Sequence, residues 1–469
     1  MHPMLPGGAW GGGDMNWLLL AIVVYVLAQF AIGTLVSRRM ASEADYILAG
    51  RRLGIGLTTF SVFATYFGAE AIVASGGAVY ERGLTGALVD PVGYACAIIV
   101  VGLLFARALW SRGLTTFADL FRQRYSPGVE QLVVIVLLPG SVIWAAAQVR
   151  AFGQVMSANS GLGLASAITL AALLVGAYSV VGGLLADAVT DVIQGVAVVL
   201  GLIILGAMVA VEVGGVSAGL SQVAPEQLRL FRADTGWLEM IEQLAIPVCG
   251  TIVAVELISR FLGARSGEVA RSGTALGGLI YLTIGLIPVF LGLMGPRLAG
   301  TVQDAEQIVP RLAEVHLPGI LYVAFVGAII SAILSTVHSA LHAPASQISH
   351  NILVRLVPGL SDRGKLWSVR LTVMALSIVA YLLSVTSQRI HDLVETASAF
   401  GSAGVFVTAL FALCTRYGGP ASAYASVVAG AAVWAGAKYV AGVGAPYLLG
   451  LLAALAGYVV VALLQGRQE

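Results

Sequence analysis

The stretch TTFSVFATYFGAEAIVASGG, residues 58–77, has the apolar character of a membrane span but contains residues that a continuous span avoids. Gly68, Gly76 and Gly77 weaken helix formation, and Glu70 places a carboxyl group in the middle of the span, where charge is costly. Backbone that leaves the helix inside a membrane is tolerated where it is buried in protein or lines a cavity. We therefore predict an interrupted helix at a functional site; a kink between packed helices is the alternative.

A second stretch with the same character lies five spans later. The sequence EMIEQLAIPVCGTIVAVELISRFLG, residues 239–263, is interrupted by Pro247 and Gly250 and contains Glu256. Interrupted spans at corresponding places in two halves of a transporter indicate an inverted repeat with a central binding site. For Glu256 there is a simpler alternative, an interfacial ion pair with Arg260 four residues later on the same helix.

The composition agrees with a membrane-embedded chain. Of the 469 residues, 58% are hydrophobic and 10% are charged, and the net charge is +1. The mean hydropathy is +0.93. These values exclude an ordinary soluble domain and give no reason to expect nucleic acid as a partner. Cys96, Cys249 and Cys414 are scattered through apolar segments, so neither a zinc site nor a disulfide framework is indicated.

Apolar runs long enough to cross a bilayer recur along the whole chain, which predicts an all-α membrane protein with a single polytopic domain over residues 1–469. Residues 1–15 are predicted to be a flexible tail. The thirteen predicted spans are 16–37, 55–80, 86–109, 128–156, 161–182, 189–213, 237–261, 273–295, 317–342, 366–387, 391–415, 419–440 and 444–464.

The distribution of basic residues predicts the orientation. With the N-terminus outside, 17 of the 25 Lys and Arg residues fall on the inner side, which the positive-inside rule favours. We therefore expect a multi-pass protein of the cell membrane with its N-terminus outside and its C-terminus in the cytoplasm.

A third polar stretch, SAILSTVHSALHAPASQISHN at residues 331–351, completes a set of motifs. The other two are GRRLGIGLTTFSVFATYFGAEAIVASGG at 50–77 and YSVVGGLLADAVTDVIQG at 178–195. In this order the three resemble the signatures of the sodium:solute symporter family, which includes bacterial sugar, proline and sialic acid carriers. The resemblance implies a leucine-transporter-type core of five plus five inverted helices, with broken helices at spans 2 and 7. The repeats would occupy residues 55–213 and 237–415, with the span at 16–37 and the two spans in 419–464 outside the core.

The resemblance also implies a set of sodium ligands. Matched by motif, they are the carbonyl oxygens of Ala64, Phe67 and Ala332 and the side chains of Ser335 and Thr336. Ala332, Ser335 and Thr336 have i, i+3, i+4 spacing and share one helix face. Hydroxyls that bond back to their own helix are the alternative reading of the last two.

Some members of the family bind a second sodium ion with hydroxyls at the positions of His338 and Ser339 and with an aspartate at the position of Asp191. Histidine offers no oxygen ligand, which puts a second sodium site in doubt. An Asp191–His338 pair and a place for Asp191 on the ion-release path are the alternatives. His338 and His342 have metal-ligand spacing, but no third ligand is evident.

The resemblance places the solute beside the sodium, against the two broken helices, and predicts a small polar molecule: an amino acid, an organic acid or a sugar-like compound. The candidate contacts are Tyr66, Glu70, Gln148, Glu256 and Ser398. The sugar carriers have a Glu–Gln pair after the broken helix, whereas here Ala71 follows Glu70, which argues against a copied sugar site.

The function predicted is sodium-coupled symport of this solute into the cell. Two alternatives stay open: proton coupling through Asp191 and His338, and a transporter-like membrane sensor that does not transport. The chain ends at QGRQE without a signalling domain, which disfavours the sensor. No nucleophile–base arrangement indicates an enzyme.

Overall fold

The chain folds as a bundle of helices, of which the computed structural model describes residues 17–37, 42–231, 236–302, 304–386 and 396–465. Within these ranges the only strand-like pairing is an isolated parallel bridge between Leu53 and Ala264. The predicted N-terminal tail and the first residues of the span predicted at 391–415 lie outside the described residues.

The α-helices are numbered along the chain. They are α1 Trp17–Ser37, α2 Glu43–Leu48, α3 Ile55–Tyr66, α4 Ser75–Arg82, α5 Tyr94–Val100, α6 Arg107–Ser111, α7 Asp119–Arg124, α8 Pro127–Ser160, α9 Leu164–Val181, α10 Leu184–Glu212, α11 Val216–Leu220, α12 Trp237–Ile252, α13 Val255–Leu262, α14 Gly267–Leu298, α15 Ile308–His316, α16 Gly319–Gln347, α17 Val354–Leu356, α18 Asp362–Thr386, α19 Ser402–Cys414, α20 Pro420–Ala435 and α21 Pro446–Gln465. Tighter or wider helical turns occupy Ala49–Arg51, Glu70–Ala74, Gly83–Ala87, Leu88–Gly93, Val101–Ala106, Ala305–Gln307, Ile348–Leu353 and Gly436–Ala441.

Nine helical segments in the described part of the chain are long and apolar enough to cross a membrane. They are Glu70–Ser111, Pro127–Ser157, Leu164–Val181, Leu184–Glu212, Trp237–Leu262, Gly267–Leu298, Gly319–Leu356, Asp362–Thr386 and Pro446–Gln465. Leu27–Val36, Ile55–Tyr66 and Ser402–Cys414 are shorter apolar helices. The all-helical membrane fold is therefore confirmed, and the count of thirteen spans stays a prediction.

The outer surface of the bundle is apolar where a soluble protein would be polar. On α10, for example, Ile193, Val196, Leu200 and Ile203 are exposed. Their spacing of three and four residues puts them on one side of the helix, while Asp187 and Asp191 are buried on the other. This inverted pattern is typical of a helix whose outer face contacts lipid.

Each of the two stretches quoted from the sequence contains a gap between helical segments, and the second gap lies at residues 253–254, beyond Pro247 and Gly250. Helix α3 ends at Tyr66, and helical structure resumes at Glu70. Helix α12 contains Pro247 and ends at Ile252, and α13 begins at Val255 after an extended Ala254. Around the first interruption, α3 packs against α10, α14 and α16, so the freed backbone is surrounded by protein rather than by lipid.

Gly68 lies in the first interruption and is in close contact with two neighbouring helices. A Cβ atom added there would lie 2.6 Å from Oγ1 of Thr336 on α16 and 2.9 Å from Oε1 of Gln148 on α8. Both distances are below van der Waals contact, and both side chains are buried. The absence of a side chain at residue 68 therefore allows α8 and α16 to approach the interruption.

A network of charged side chains closes the bundle at the end where α7 and α8 meet. The guanidinium of Arg355 lies 2.9 Å from Glu130 and 3.1 Å from Asp119. Nδ2 of Asn351 donates to the same two carboxylates at 2.8 and 2.9 Å. Because residues 351 and 355 follow α16, the network connects the first predicted repeat to the second. We name these four residues the end network.

We predict that Gly68→Ala destabilises the protein, because the added methyl group overpacks a rigid contact at a cost of about 1–3 kcal/mol. The thermal unfolding midpoint of the purified protein measures the effect. Gly56→Ala on α3 is the matched control, since a Cβ there meets no atom within 4 Å. Equal midpoints for the two variants would contradict the close approach.

Candidate functional site

The first interruption faces the middle of α16, and oxygen atoms from both elements meet there. Oγ1 of Thr336 donates a hydrogen bond of 3.2 Å to the carbonyl oxygen of Ala64 and lies 3.1 Å from the carbonyl oxygen of Ala332. Phe67 is the residue that directly follows α3. Ser335 and Thr336 are both fully buried. The predicted sodium ligands are therefore neighbours in the fold.

Asp191 lies beside this oxygen cluster. Its carboxylate accepts a hydrogen bond of 2.7 Å from Ser61 on α3 and another from Ser335 on α16. A hydroxyl that donates its hydrogen keeps its lone pairs, so Ser335 still has acceptor capacity for a cation. The arrangement also places a carboxylate one hydrogen bond away from the oxygen cluster.

The partner of His338 is Asp187 and not Asp191, which corrects one of the alternatives drawn from the sequence. Nδ1 of His338 is 3.0 Å from Oδ2 of Asp187. Asp187 and Asp191 are one helical turn apart on α10, and His338 packs beside the earlier of the two. His338 and His342 stack with ring centroids 5.3 Å apart. Among the described residues no group of three His, Cys, Asp or Glu side chains is placed to hold a metal ion.

Arg260 is the central charge of this region, and its place was not predicted. It is 1% exposed, although the sequence pattern assigned it to the inner surface. Its guanidinium forms an ion pair with Asp187, donates to Ser339, and donates from Nε to Thr65 at 2.9 Å. The expected surface pair with Glu256 is therefore replaced by a buried cluster with Asp187. We name Thr65, Asp187, Arg260, His338 and Ser339 the arginine cluster.

A cavity of about 70 Å³ adjoins the two interruptions. Four of the five predicted solute contacts line it: Tyr66, Glu70, Glu256 and Ser398. The cavity lining also includes Tyr94, Ser141, Trp144 and Thr251. Because Tyr66 is the last residue of α3, the cavity begins where the oxygen cluster ends. We name this space the solute cavity.

Gln148 lies outside the lining of the solute cavity. Its side-chain oxygen accepts a hydrogen bond of 3.2 Å from the backbone N–H of Ala69. This bond satisfies a donor that the interrupted helix leaves free. The position of Gln148 indicates a role in holding the interruption in place, and its contact with a solute stays a prediction.

A second cavity, of about 230 Å³, shares Glu70 and Tyr94 with the solute cavity. Its other charged lining residues are Arg82, Glu239, Glu242 and Lys438. The carboxylate of Glu242 accepts hydrogen bonds from the N–H groups of Tyr447 and Leu448 and so caps the first turn of α21. We name this space the entry cavity, since it extends from the solute cavity towards the ends of α12 and α21.

Sequence reasoning missed Asp187, Tyr94 and Trp144. Asp187 lies four residues before Asp191, a spacing that puts both on one helix face and signalled a second buried carboxylate. Tyr94 and Trp144 had no comparable signal, because aromatic residues in apolar spans usually pack against other helices. Their place in the cavity follows from the tertiary fold.

The chain is similar in sequence to several membrane transporters. The high-affinity choline transporter 1 of Caenorhabditis elegans is 26% identical over 410 residues, covering 80% of this chain and 70% of that protein. The sodium/proline symporter of Escherichia coli (strain K12) is 24% identical over 413 residues, covering 82% of this chain and 81% of that protein.

Among solved structures, the substrate-bound outward-open state of a Na⁺-coupled sialic acid symporter matches with a TM-score of 0.83 at 16% identity, covering 96% of this chain and 98% of that chain. At this identity the match establishes the fold alone. The model of the sodium:solute symporter family matches residues 46–430. The chain is therefore a multi-pass membrane transporter rather than an enzyme, and it belongs to the sodium:solute symporter family.

Proposed function

We propose that the protein is a symporter of the cell membrane that couples the entry of a small polar solute to sodium by alternating access. The observation that carries the proposal is the convergence of Ala64, Ala332, Ser335 and Thr336 at the first interruption, next to the solute cavity. Two compared proteins are named for sodium coupling, the sodium/proline symporter and the sialic acid symporter, which supports this coupling ion.

Sodium binds through the carbonyl oxygens of Ala64, Phe67 and Ala332 and the hydroxyls of Ser335 and Thr336. Carbonyls of unwound helix segments are the ligands that transporters use for sodium. Asp191 accepts the hydrogen of Ser335 and thereby directs the lone pairs of that hydroxyl away from itself. The buried carboxylate also favours a cation at the oxygen cluster.

The architecture behind this function is thirteen spans with five-helix repeats at 55–213 and 237–415. The helix ends at Tyr66 and Ile252 support it, because they place one interruption at the start of each repeat. The basic-residue distribution supports an outside N-terminus and a cytoplasmic C-terminus. In this orientation the entry cavity opens outwards and the end network lies on the inner side.

The coupling of sodium to solute follows because Tyr66 and Phe67 are adjacent at the end of α3. Tyr66 lines the solute cavity, and Phe67 is a proposed sodium ligand. Sodium fixes the end of α3 against α16, and the end of α3 lines the solute cavity. If sodium tightens solute binding by some factor, the solute tightens sodium binding by the same factor. Each sodium ion that enters down a potential of 100 mV supplies about 2.3 kcal/mol.

We infer a single sodium ion in each cycle. In the family, the second ion uses the positions of Asp191, His338 and Ser339. Here the guanidinium of Arg260 already donates to Ser339 and pairs with Asp187, and His338 brings a nitrogen where an oxygen would be needed. The arginine cluster thus contains its own permanent positive charge, which compensates Asp187 and disfavours a second cation beside Ser339.

We predict that Ser335→Ala combined with Thr336→Ala removes sodium binding, since two of the five ligands are lost. The measurement is the thermal unfolding midpoint of purified protein in sodium chloride against potassium chloride. Saturating sodium, at about one hundred times its dissociation constant, stabilises the parent by about 2.7 kcal/mol.

Ser346→Ala is the control for this pair, because Ser346 is buried on the same helix and its hydroxyl bonds to the backbone oxygen of His342. This variant keeps the sodium effect. A parent protein that potassium stabilises equally well would contradict the sodium site. Solute uptake driven by a proton gradient in sodium-free medium would favour proton coupling instead.

We predict that sodium binds to the parent protein with a Hill coefficient of one, because the arginine cluster excludes a second ion. Titration of the purified protein with sodium at constant ionic strength, followed by intrinsic fluorescence or calorimetry, measures it. A coefficient approaching two would show that the cluster does not replace the second ion.

A further inference from the structure

We propose that the solute is an organic cation without an acidic group. This inference rests on the proposed function and adds the chemical class of the molecule that occupies the solute cavity. It is carried by two buried carboxylates, by the cavity's aromatic walls, and by the lack of a basic side chain among the described residues that line the cavity.

The two carboxylates belong to Glu70 and Glu256, which are 7% and 4% exposed. Oε1 of Glu256 has no hydrogen-bond partner among the described residues. A buried carboxylate oxygen without a partner is costly unless a ligand supplies the missing interaction. Glu256 lines the solute cavity, so a solute in that cavity is positioned to supply it.

Among the described residues no basic side chain forms an ion pair with Glu256. Arg260 is the basic residue nearest to Glu256 along the helix, and its guanidinium is engaged by Asp187, Ser339 and Thr65 in the arginine cluster. Arg82 and Lys438 line the entry cavity but not the solute cavity. A positive charge next to Glu256 therefore comes from the solute.

The helix ends at the two interruptions disfavour an acidic solute. Half-helices in transporters usually direct their positive N-terminal ends at an anionic group of the substrate. Here Glu70 is the first residue of the helical segment after the first interruption, and Glu256 lies in the first turn of α13. Each positive end is already compensated by its own glutamate. The carboxylate of an amino acid or an acidic sugar would find two negative groups and no positive partner.

Aromatic rings complete the preference for a cation. Tyr66 lies 5.6 Å from Trp144 and 5.9 Å from Tyr94 between ring centroids, and all three line the cavity. Nε1 of Trp144 is 3.4 Å from Oε2 of Glu70, which links the aromatic wall to a carboxylate. Cations over aromatic faces are stabilised most strongly when water is excluded, and alkylated ammonium groups use such walls.

The test compares solutes of different charge on the purified full-length protein in sodium chloride. The probes are choline and tetramethylammonium as cations, proline as a zwitterion, sialic acid as an anion and glucose as a neutral molecule. We expect the two cations to raise the thermal unfolding midpoint in sodium and to do so less in potassium. Stabilisation by proline, sialic acid or glucose without stabilisation by either cation overturns the inference, as does a lack of response to every probe.

A pair of variants tests the role of the cavity carboxylate. Glu256→Gln keeps the size of the side chain and removes its charge, so the affinity for the stabilising cation falls by about tenfold or more. Glu239→Gln is the matched control, because Glu239 lines the entry cavity alone, and its effect stays below about twofold at physiological ionic strength. Equal losses in both variants would mean that a general negative field, and not Glu256, attracts the cation.

The response of the protein to sodium without any solute distinguishes failure of the proposed function from failure of the cation inference. A parent protein stabilised by sodium but by none of the cations keeps the proposed function and loses this inference. A parent protein that does not respond to sodium loses the proposed function, whatever the solute panel gives.

Discussion

Hydrocarbon offers no hydrogen bonds, and this constraint governs the whole structure. A helix that is interrupted inside a membrane exposes N–H and C=O groups, which only protein groups, a water-filled cavity or bound ions can satisfy. At the first interruption Gln148 accepts from Ala69 and Thr336 donates to Ala64. We assign the carbonyl oxygens at this interruption to the proposed sodium site. The proposed ion site then arises from the same requirement that holds α8 and α16 against α3.

Each buried carboxylate on α10 is likewise stabilised by side chains in direct contact with it. The arginine cluster places one guanidinium and one imidazole next to Asp187, while Asp191 relies on the hydroxyls of Ser61 and Ser335. Two carboxylates one turn apart therefore have different environments. The compensated one belongs to a permanent ion cluster, and the other lies beside the oxygen atoms that we assign to sodium. This division explains how a single helix serves both structure and transport.

The sequence predicts the features that depend on local chemistry. Gly68 weakens a helix inside a span and lies in the first gap, whereas α12 continues through Pro247 and Gly250 and the second gap follows them at residues 253–254. Ser335 and Thr336 lie on the same helix side as Ala332 by their i+3 and i+4 spacing alone. The sequence does not predict which buried side chains form ion pairs with each other, because this depends on how the packed helices are rotated and shifted along their axes. The spacing of Asp187 and Asp191 is equally compatible with either as the partner of His338, and nothing near Arg260 in sequence indicates that it reaches α10 and not Glu256.

The walls of the solute cavity illustrate the same limit. Tyr66, Glu70, Glu256 and Ser398 were foreseen because they follow the interruptions or match the family pattern, whereas Tyr94 and Trp144 come from helices without an unusual sequence. Gln148 was predicted to contact the solute, and in the fold it lies at the first interruption, outside the cavity lining. Its amide supports the backbone at Ala69, and so it stands one layer behind the cavity.

The end network has a kinetic consequence. Arg355 is held by two carboxylates at once, with Asn351 bridging the same pair. In the proposed orientation these contacts lie on the inner side, and we infer that they separate when that side opens. Because none of the four side chains belongs to the proposed sodium or solute site, the contacts hold that side closed whether or not the carrier is loaded. An inner side held closed in this way limits the leakage of ions and solute through the protein.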